Sequence, residues 1–228
     1  MGVSINWVGH STFLLENKGQ SVLIDPFIND NPLTDLSADD FSPDVILVTH
    51  AHGDHMSDVI SIAQRTGAIV ACNFEMGNWF LSKGLKNVAQ GNPGGTFDGG
   101  FMDAKWTIAF HTSSFPDGTY GGQPNGFLIR MAGKTIYHAG DTCLFGDMAL
   151  IGDEGVDAAI LPIGDTYTMG LEDSIKAVNL IQPTYVIPCH YNTFSAITQD
   201  VVAWAEMIHR ETDAKPIVMD PGGSFICD

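Results

Sequence analysis

Thr49-His50-Ala51-His52-Gly53-Asp54-His55 follows an unbroken apolar run, Val45-Ile46-Leu47-Val48, and decides how the rest of the chain reads. With 8 histidines and 21 aspartates in 228 residues, chance places an HxHxDH pattern in about one such chain in a thousand. The apolar run predicts a strand covered on both faces. Just past it, His50 and His52 lie two residues apart, point to the same side and can share a metal ion. Gly53 permits a sharp turn, after which Asp54 and His55 can face a second metal from the start of a helix. Neutral imidazole and carboxylate suit zinc, manganese or iron.

Outward from this motif, short β-type runs punctuated by glycine and proline alternate with a few helical stretches. Strands are expected at 3–8, 11–16 and 21–25, the last two joined by a turn at Asn17-Lys18-Gly19. Further strands are expected at 45–48, 68–71, 106–111, 127–131, 134–138, 158–162, 185–188 and 216–219. Helices are expected at 56–66, 74–83, 171–181 and 199–211. In the third, Leu171, Ile175, Val178 and Ile181 make one stripe, and Pro183 stops the helix. No linker or low-complexity segment interrupts the chain, which reads as a single domain over residues 1–228.

Two stretches look duplicated. Phe13-Leu14-Leu15 precedes Gly19 as Phe127-Leu128-Ile129 precedes Gly133, and the hairpins run into Asp25 and Asp141. Pro43 and Pro183 each open an apolar strand that reaches a histidine seven residues on, His50 and His190. Two similar half-sheets would bring ligands from strand ends into one cleft.

A two-metal site needs more than four ligands. His111 ends the run Trp106–Phe110 and would give the first metal a third histidine. Asp141 follows a strand through a glycine, and its two oxygens could bridge both metals. His190 ends the run Tyr185–Cys189 and would join Asp54 and His55. Cys189 points to the opposite face from His190 and reads as a buried thiol. His138 reads as a support of the Asp141 loop, and His209 as solvated.

HxHxDH, a lone histidine, Gly140-Asp141-Thr142 and a late histidine, in that order, resemble the metallo-β-lactamase superfamily over nearly the whole chain. Gly9-His10-Ser11, Leu23-Ile24-Asp25-Pro26 and Cys189-His190-Tyr191 resemble a narrower branch, small metal-dependent hydrolases related to L-ascorbate 6-phosphate lactonase. The resemblance implies an α/β fold, the αββα four-layer sandwich, with metals at the sheet edge. It implies His50, His52 and His111 at one metal, Asp54, His55 and His190 at the other, and Asp141 bridging. Asp25 would match the carboxylate that fixes the histidine loop by hydrogen bonding. His10 would approach the cleft, as a proton donor to the leaving group, as an orienting group, or as a hydrogen-bonded structural histidine.

Composition narrows the function. Ten Lys and Arg against 27 Asp and Glu give a net charge of −17, which disfavours nucleic acid and anionic membranes as partners. The opening MGVSINWVGHS lacks the basic and apolar pattern of a signal peptide. Four scattered cysteines suit reduced thiols in a cytoplasm. The acidic stretch 29–40 lacks the spacing of a calcium loop and reads as solvated. The expected function is a binuclear hydrolase of an ester, lactone or phosphoester, acting through a metal-bridging hydroxide. Asp54, Asp141 and His10 are its candidate catalytic residues. Zinc is the first choice of cofactor, with manganese, iron or nickel as alternatives. Two other functions are a mononuclear iron oxidoreductase on the same fold and a metal-binding protein without turnover. The substrate is a small molecule, and whether the chain forms a homo-oligomer is left open. None of the ten cationic residues lies in segments 9–11, 49–55, 111–126, 138–143 or 188–195. A substrate with a separate phosphate handle would recruit such a residue, so a neutral ester or lactone is expected.

Overall fold

The computed structural model describes residues 2–228. The first sheet is built from β1 (Val3–Gly9), β2 (Thr12–Asn17), β3 (Gln20–Ile24), β4 (Val45–Leu47), β5 (Ile69–Asn73) and β6 (Val88–Gly91). The second holds β7 (Thr96–Asp98), β8 (Met102–Ile108), β9 (Asn125–Met131), β10 (Lys134–His138), β11 (Ala158–Pro162), β12 (Tyr185–Cys189) and β13 (Lys215–Pro216). The chain then returns to the first sheet as β14 (Ser224–Cys227). Strand orders are β14-β1-β2-β3-β4-β5-β6 and β13-β12-β11-β10-β9-β8-β7.

Alternation along the strands sorts side chains between two faces. Val22, Ile24, Val45 and Leu47 enter one core with Phe127, Ile129, Ile160 and Ile187 of the other sheet. Their neighbours Leu23, Ile46 and Val48 enter a second core. There they meet Met56 of α1 (Gly53–Met56), Ile62 of α2 (Val59–Thr66) and Phe80 of α3 (Phe74–Ser82). On the far side lie α4 (Met148–Gly152), α5 (Leu171–Ile181) and α6 (Val201–Glu211). The expected stripe of α5 buries Ile175, Val178 and Ile181, and Ser174 accepts a bond from Trp204 Nε1 of α6 at 2.9 Å. The result is the expected four-layer αββα sandwich.

Several expectations shift. The strand expected at 106–111 runs over Met102–Ile108, so His111 stands in the loop beyond it. The single helix expected at 56–66 is broken at Ser57-Asp58. There the Asp58 carboxylate accepts from the backbone of Ile28 and Asn29 and from the Asn29 amide. The strand expected at 216–219 is Lys215–Pro216, while β6, β7, β14 and α4 were not expected. The two-half pattern is present, with one register corrected. In each sheet four antiparallel strands are followed by three parallel ones. The β2–β3 and β9–β10 hairpins occupy the same place, but β12 corresponds to β5 and not to β4. His50 and His190 therefore come from non-equivalent strands.

Candidate metal centre

Six chain segments meet at one edge of the sandwich. They are the β1–β2 turn, the exits of β3, β4, β10 and β12, and the loop beyond β8. The edge is shared because Ile24 pairs with Phe13 beside the β1–β2 turn, and Ile108 pairs with Asn125 at the start of β9. Three of the residues delivered there, His10, Asp25 and His190, have left-handed backbones with φ of 54°, 46° and 54°. Each such placement costs about 1–3 kcal/mol, offset here by the bonds these residues make. Gly140 (φ 64°) is required before Asp141, since a Cβ there would approach Asn125 O to 2.7 Å and Thr49 Cβ to 3.0 Å.

Asp25 is fully buried and anchors the histidine loop. Its Oδ1 accepts from Thr49 N–H at 2.8 Å. Its Oδ2 accepts from the Thr49 hydroxyl at 2.6 Å and from His55 Nδ1 at 2.8 Å. With its proton given to Asp25, the Thr49 hydroxyl is left to accept from His50 Nδ1 at 3.0 Å. Both His50 and His55 are thereby held with Nδ1 protonated, which leaves Nε2 as the nitrogen that can serve a metal. Sequence reasoning singled out Asp25 but not Thr49, although Thr49 adjoins the motif.

The freed nitrogens converge. Asp141 Oδ2 lies 3.0 Å from His190 Nε2, 3.5 Å from His55 Nε2, 3.6 Å from His111 Nε2 and 4.0 Å from His50 Nε2. Ligand atoms of His50, His52 and His111 lie within 4.8 Å of one another, and so do those of His10, Asp54, His55 and His190. His50 Nε2 and His52 Nδ1 are 3.0 Å apart. His55 Nε2, Asp141 Oδ1, His190 Nδ1 and His10 Nε2 are buried without a hydrogen-bond partner. Buried polar atoms are rarely left so, and these carry the donor types of transition-metal sites. The residues fit divalent cations.

Electrostatics agree with the donor set. Burial lowers the affinity of His50, His52 and His111 for a proton. It brings His10 down to about 4 despite the neighbouring Asp54. Burial opposes charge on Asp141 and Asp54, yet nearby imidazoles hold both carboxyls well below the usual range. His190 and His55 act on Asp141, and His10 and His55 on Asp54. His55 is the exception, because Asp141 and Asp25 outweigh burial and raise it well above the ordinary value. Neutral imidazoles and ionised carboxylates are the forms that take a cation.

The remaining expectations divide. His138 bonds Ser11 O through Nε2 at 3.2 Å and accepts from Gly140 N–H at 3.2 Å, so it supports the loop as expected. Cys189 is buried and His209 exposed. His10 is fully buried, with the edges of Phe27 and Phe194 against its ring. Thr142, given no role of its own in the Gly140-Asp141-Thr142 motif, accepts from Phe110 N–H at 3.0 Å and ties the His111 loop to Asp141. Phe194, beside His10, is exposed, and so is Phe110, which packs on Phe145. Among the described residues no helix is long and apolar enough to cross a membrane.

Known proteins resemble this chain in sequence and fold. Residues 4–190 match the model of the β-lactamase superfamily domain. The chain is 47% identical over 222 residues to a UPF0173 metal-dependent hydrolase of Thermus thermophilus, covering 96% of this chain and 97% of that one. It is 44% identical over 228 residues to another of Methanosarcina mazei, covering 98% of each. Igni18, a metallo hydrolase of Ignicoccus hospitalis, superposes with a TM-score of 0.90 at 36% identity, over 99% of this chain and 98% of that one. The chain belongs to the metallo-β-lactamase superfamily, as a metal-dependent hydrolase of the UPF0173 group.

Proposed function

We propose that this hydrolase is binuclear and acts on a small neutral ester or lactone. The observation that carries the reading is the position of Asp141 Oδ2, within 3.0–4.0 Å of imidazoles from both histidine groups. One carboxylate thus reaches both candidate subsites. His50, His52 and His111 would hold one ion, Asp54, His55 and His190 the other, with Asp141 between them. Two divalent cations, zinc by preference for this donor set, would supply Lewis acidity and a water acidic enough to act at neutral pH. Thr49 and Asp25 hold the Nδ1 protons of His50 and His55, so Nε2 of each faces the centre. His55, raised by Asp141 and Asp25, would give up its Nε2 proton to a cation. Phe194, exposed and set against the His10 ring, offers an apolar contact beside the site. No serine or cysteine nucleophile is needed, and Cys189 is buried with its thiol pushed well above the usual range by that burial.

The charge pattern supports a neutral substrate. Arg65, Lys105, Arg130, Lys134, Lys176 and Arg210 are paired with surface carboxylates. Lys83 and Lys215 lie over the rings of Trp79 and Tyr185. A cytoplasmic location suits four free cysteines, of which Cys143 is exposed. The test compares kcat/KM for a neutral lactone and its phosphorylated analogue at low and high salt. The neutral compound is expected to be preferred. A preference for the phosphorylated one that weakens with salt would overturn the reading.

A further inference from the structure

His10 has a more specific role available than proton donation. The Thr193 hydroxyl donates to Tyr191 O at 3.4 Å and lies 2.8 Å from His10 Nδ1. With the hydroxyl proton on Tyr191 O, the hydroxyl accepts from an Nδ1–H and the lone pair of His10 stands on Nε2. With that proton turned to Nδ1 instead, Nε2 carries a hydrogen toward Asp54. Nε2 is buried and has no hydrogen-bond partner. It lies 3.3 Å from Asp54 Oδ2, longer than a charge-assisted bond and outside hydrogen-bond geometry. In the first tautomer two lone-pair atoms face each other across this distance and repel unless a cation lies between them. The poor geometry toward Asp54 disfavours the second.

The rest of the surroundings point the same way. The His10 ring is 4.2 Å from that of His190 and 5.4 Å from that of His55, centroid to centroid. The backbones are joined as well, since His190 N–H donates to His10 O at 3.1 Å. Both residues sit at φ 54°, so the β1–β2 turn and the β12 exit are locked as one unit. Phe27 and Phe194 wall the ring on other sides. Walled in this way, Nε2 is buried and turned to Asp54.

We propose that His10 is a ligand, through Nε2, to the divalent cation held by Asp54, His55 and His190. That subsite would then present three imidazoles and a carboxylate besides Asp141, against three imidazoles at the other. The inference rests on the two-metal reading and assigns His10 a coordinating role in place of proton donation.

The direct test is a long-range proton–nitrogen NMR spectrum of zinc-saturated protein with labelled histidines, the His10 signals assigned with His10→Gln. The expected result is a proton on Nδ1 and an unprotonated Nε2 shifted by zinc. A proton on Nε2 in the zinc-saturated state would overturn the proposal. This readout uses the wild-type chain, so it does not depend on a variant folding. Cobalt(II) titration is the second readout. His10→Ala should weaken the second equivalent by more than about 100-fold, beyond the usual cost of losing an outer partner, and leave the first unchanged. His10→Gln should not rescue it. A smaller loss, or rescue by glutamine donating to Asp54, would make His10 a positioning residue of that carboxylate and overturn ligation. Wild-type protein saturating at one equivalent would count against the two-metal reading. The His10 nitrogen would still decide the present proposal, since a proton retained on Nε2 overturns it there too.

Discussion

Asp25 and Asp141 both follow the second strand of matching hairpins in the two sheets and differ in use. Asp25 comes directly after β3, whereas Asp141 comes three residues after β10, where Ala139 holds the position that matches Asp25. Asp25 has its oxygens filled by three protein donors, Thr49 N–H, the Thr49 hydroxyl and His55 Nδ1. Asp141 keeps Oδ1 unpartnered and sets Oδ2 among four imidazole nitrogens. A duplicated scaffold has thus made one aspartate a support and the other a candidate ligand. Hydrogen-bond satisfaction and the two-residue offset together tell them apart.

The largest effect should come from Asp141. Asp141→Ala should reduce kcat/KM by well over about 100-fold, more than loss of an outer partner costs, while circular dichroism shows the fold retained. Near-normal turnover would break the contrast with Asp25. Asp25→Asn should cost less, about 10- to 100-fold in metal affinity or activity. It should also lower stability by about 1–3 kcal/mol through the weakened buried bonds, read from denaturant unfolding of metal-free protein. Equal effects of the two substitutions on metal affinity would erase the distinction.

Smaller effects sharpen it. At free zinc a hundred times Kd, one bound ion adds about 2.7 kcal/mol to stability. For a chain of this size, stripping that ion should lower Tm by about 5–10 °C, measured by thermal melts with and without chelator. Asp141→Ala should abolish most of that difference, and Asp25→Asn only part of it. Far from the centre, Glu154 bonds Lys105 and Arg130 at 2.7 Å each. The hydrogen bond from Lys105 holds its carboxyl below the usual value. Its contribution is therefore present above the ordinary glutamate pKa and fades as the solution is acidified. Glu154→Gln should change stability by less than about 1 kcal/mol and leave turnover unaltered.

What could be read from the sequence follows from how locally each feature is encoded. The first half delivers His50, His52, Asp54 and His55 from one loop, and their spacing alone announces a metal site. The second half delivers Asp141 and His190 from separate strand ends, and His111 from a loop. These gained force only together and through the resemblance. Strand β8 was displaced because its first residues alternate Met102 and Ala104 with the charged Asp103 and Lys105, which hides a half-buried strand in a polar stretch. Strand β14 pairs with β1 from the opposite end of the chain, a contact that no local pattern encodes. The break between α1 and α2 depends on Asp58 reaching the backbone of Ile28 and Asn29, again a tertiary choice. The likeness of the strand before His50 to the strand before His190 was real in pattern but one strand out of register. Prolines and apolar runs mark where a strand starts, not which neighbour it pairs with. The Thr193 contact to His10 spans 183 residues and had no signal beyond its place three residues after His190.

Metal content decides the central claim. Elemental analysis of wild-type protein saturated with zinc and freed of excess by gel filtration should give two equivalents per chain. Asp141→Ala should fall below that, while Asp25→Asn should approach two at higher zinc. A single equivalent in the saturated wild type would contradict the two-subsite account and leave Asp141 without its bridging role.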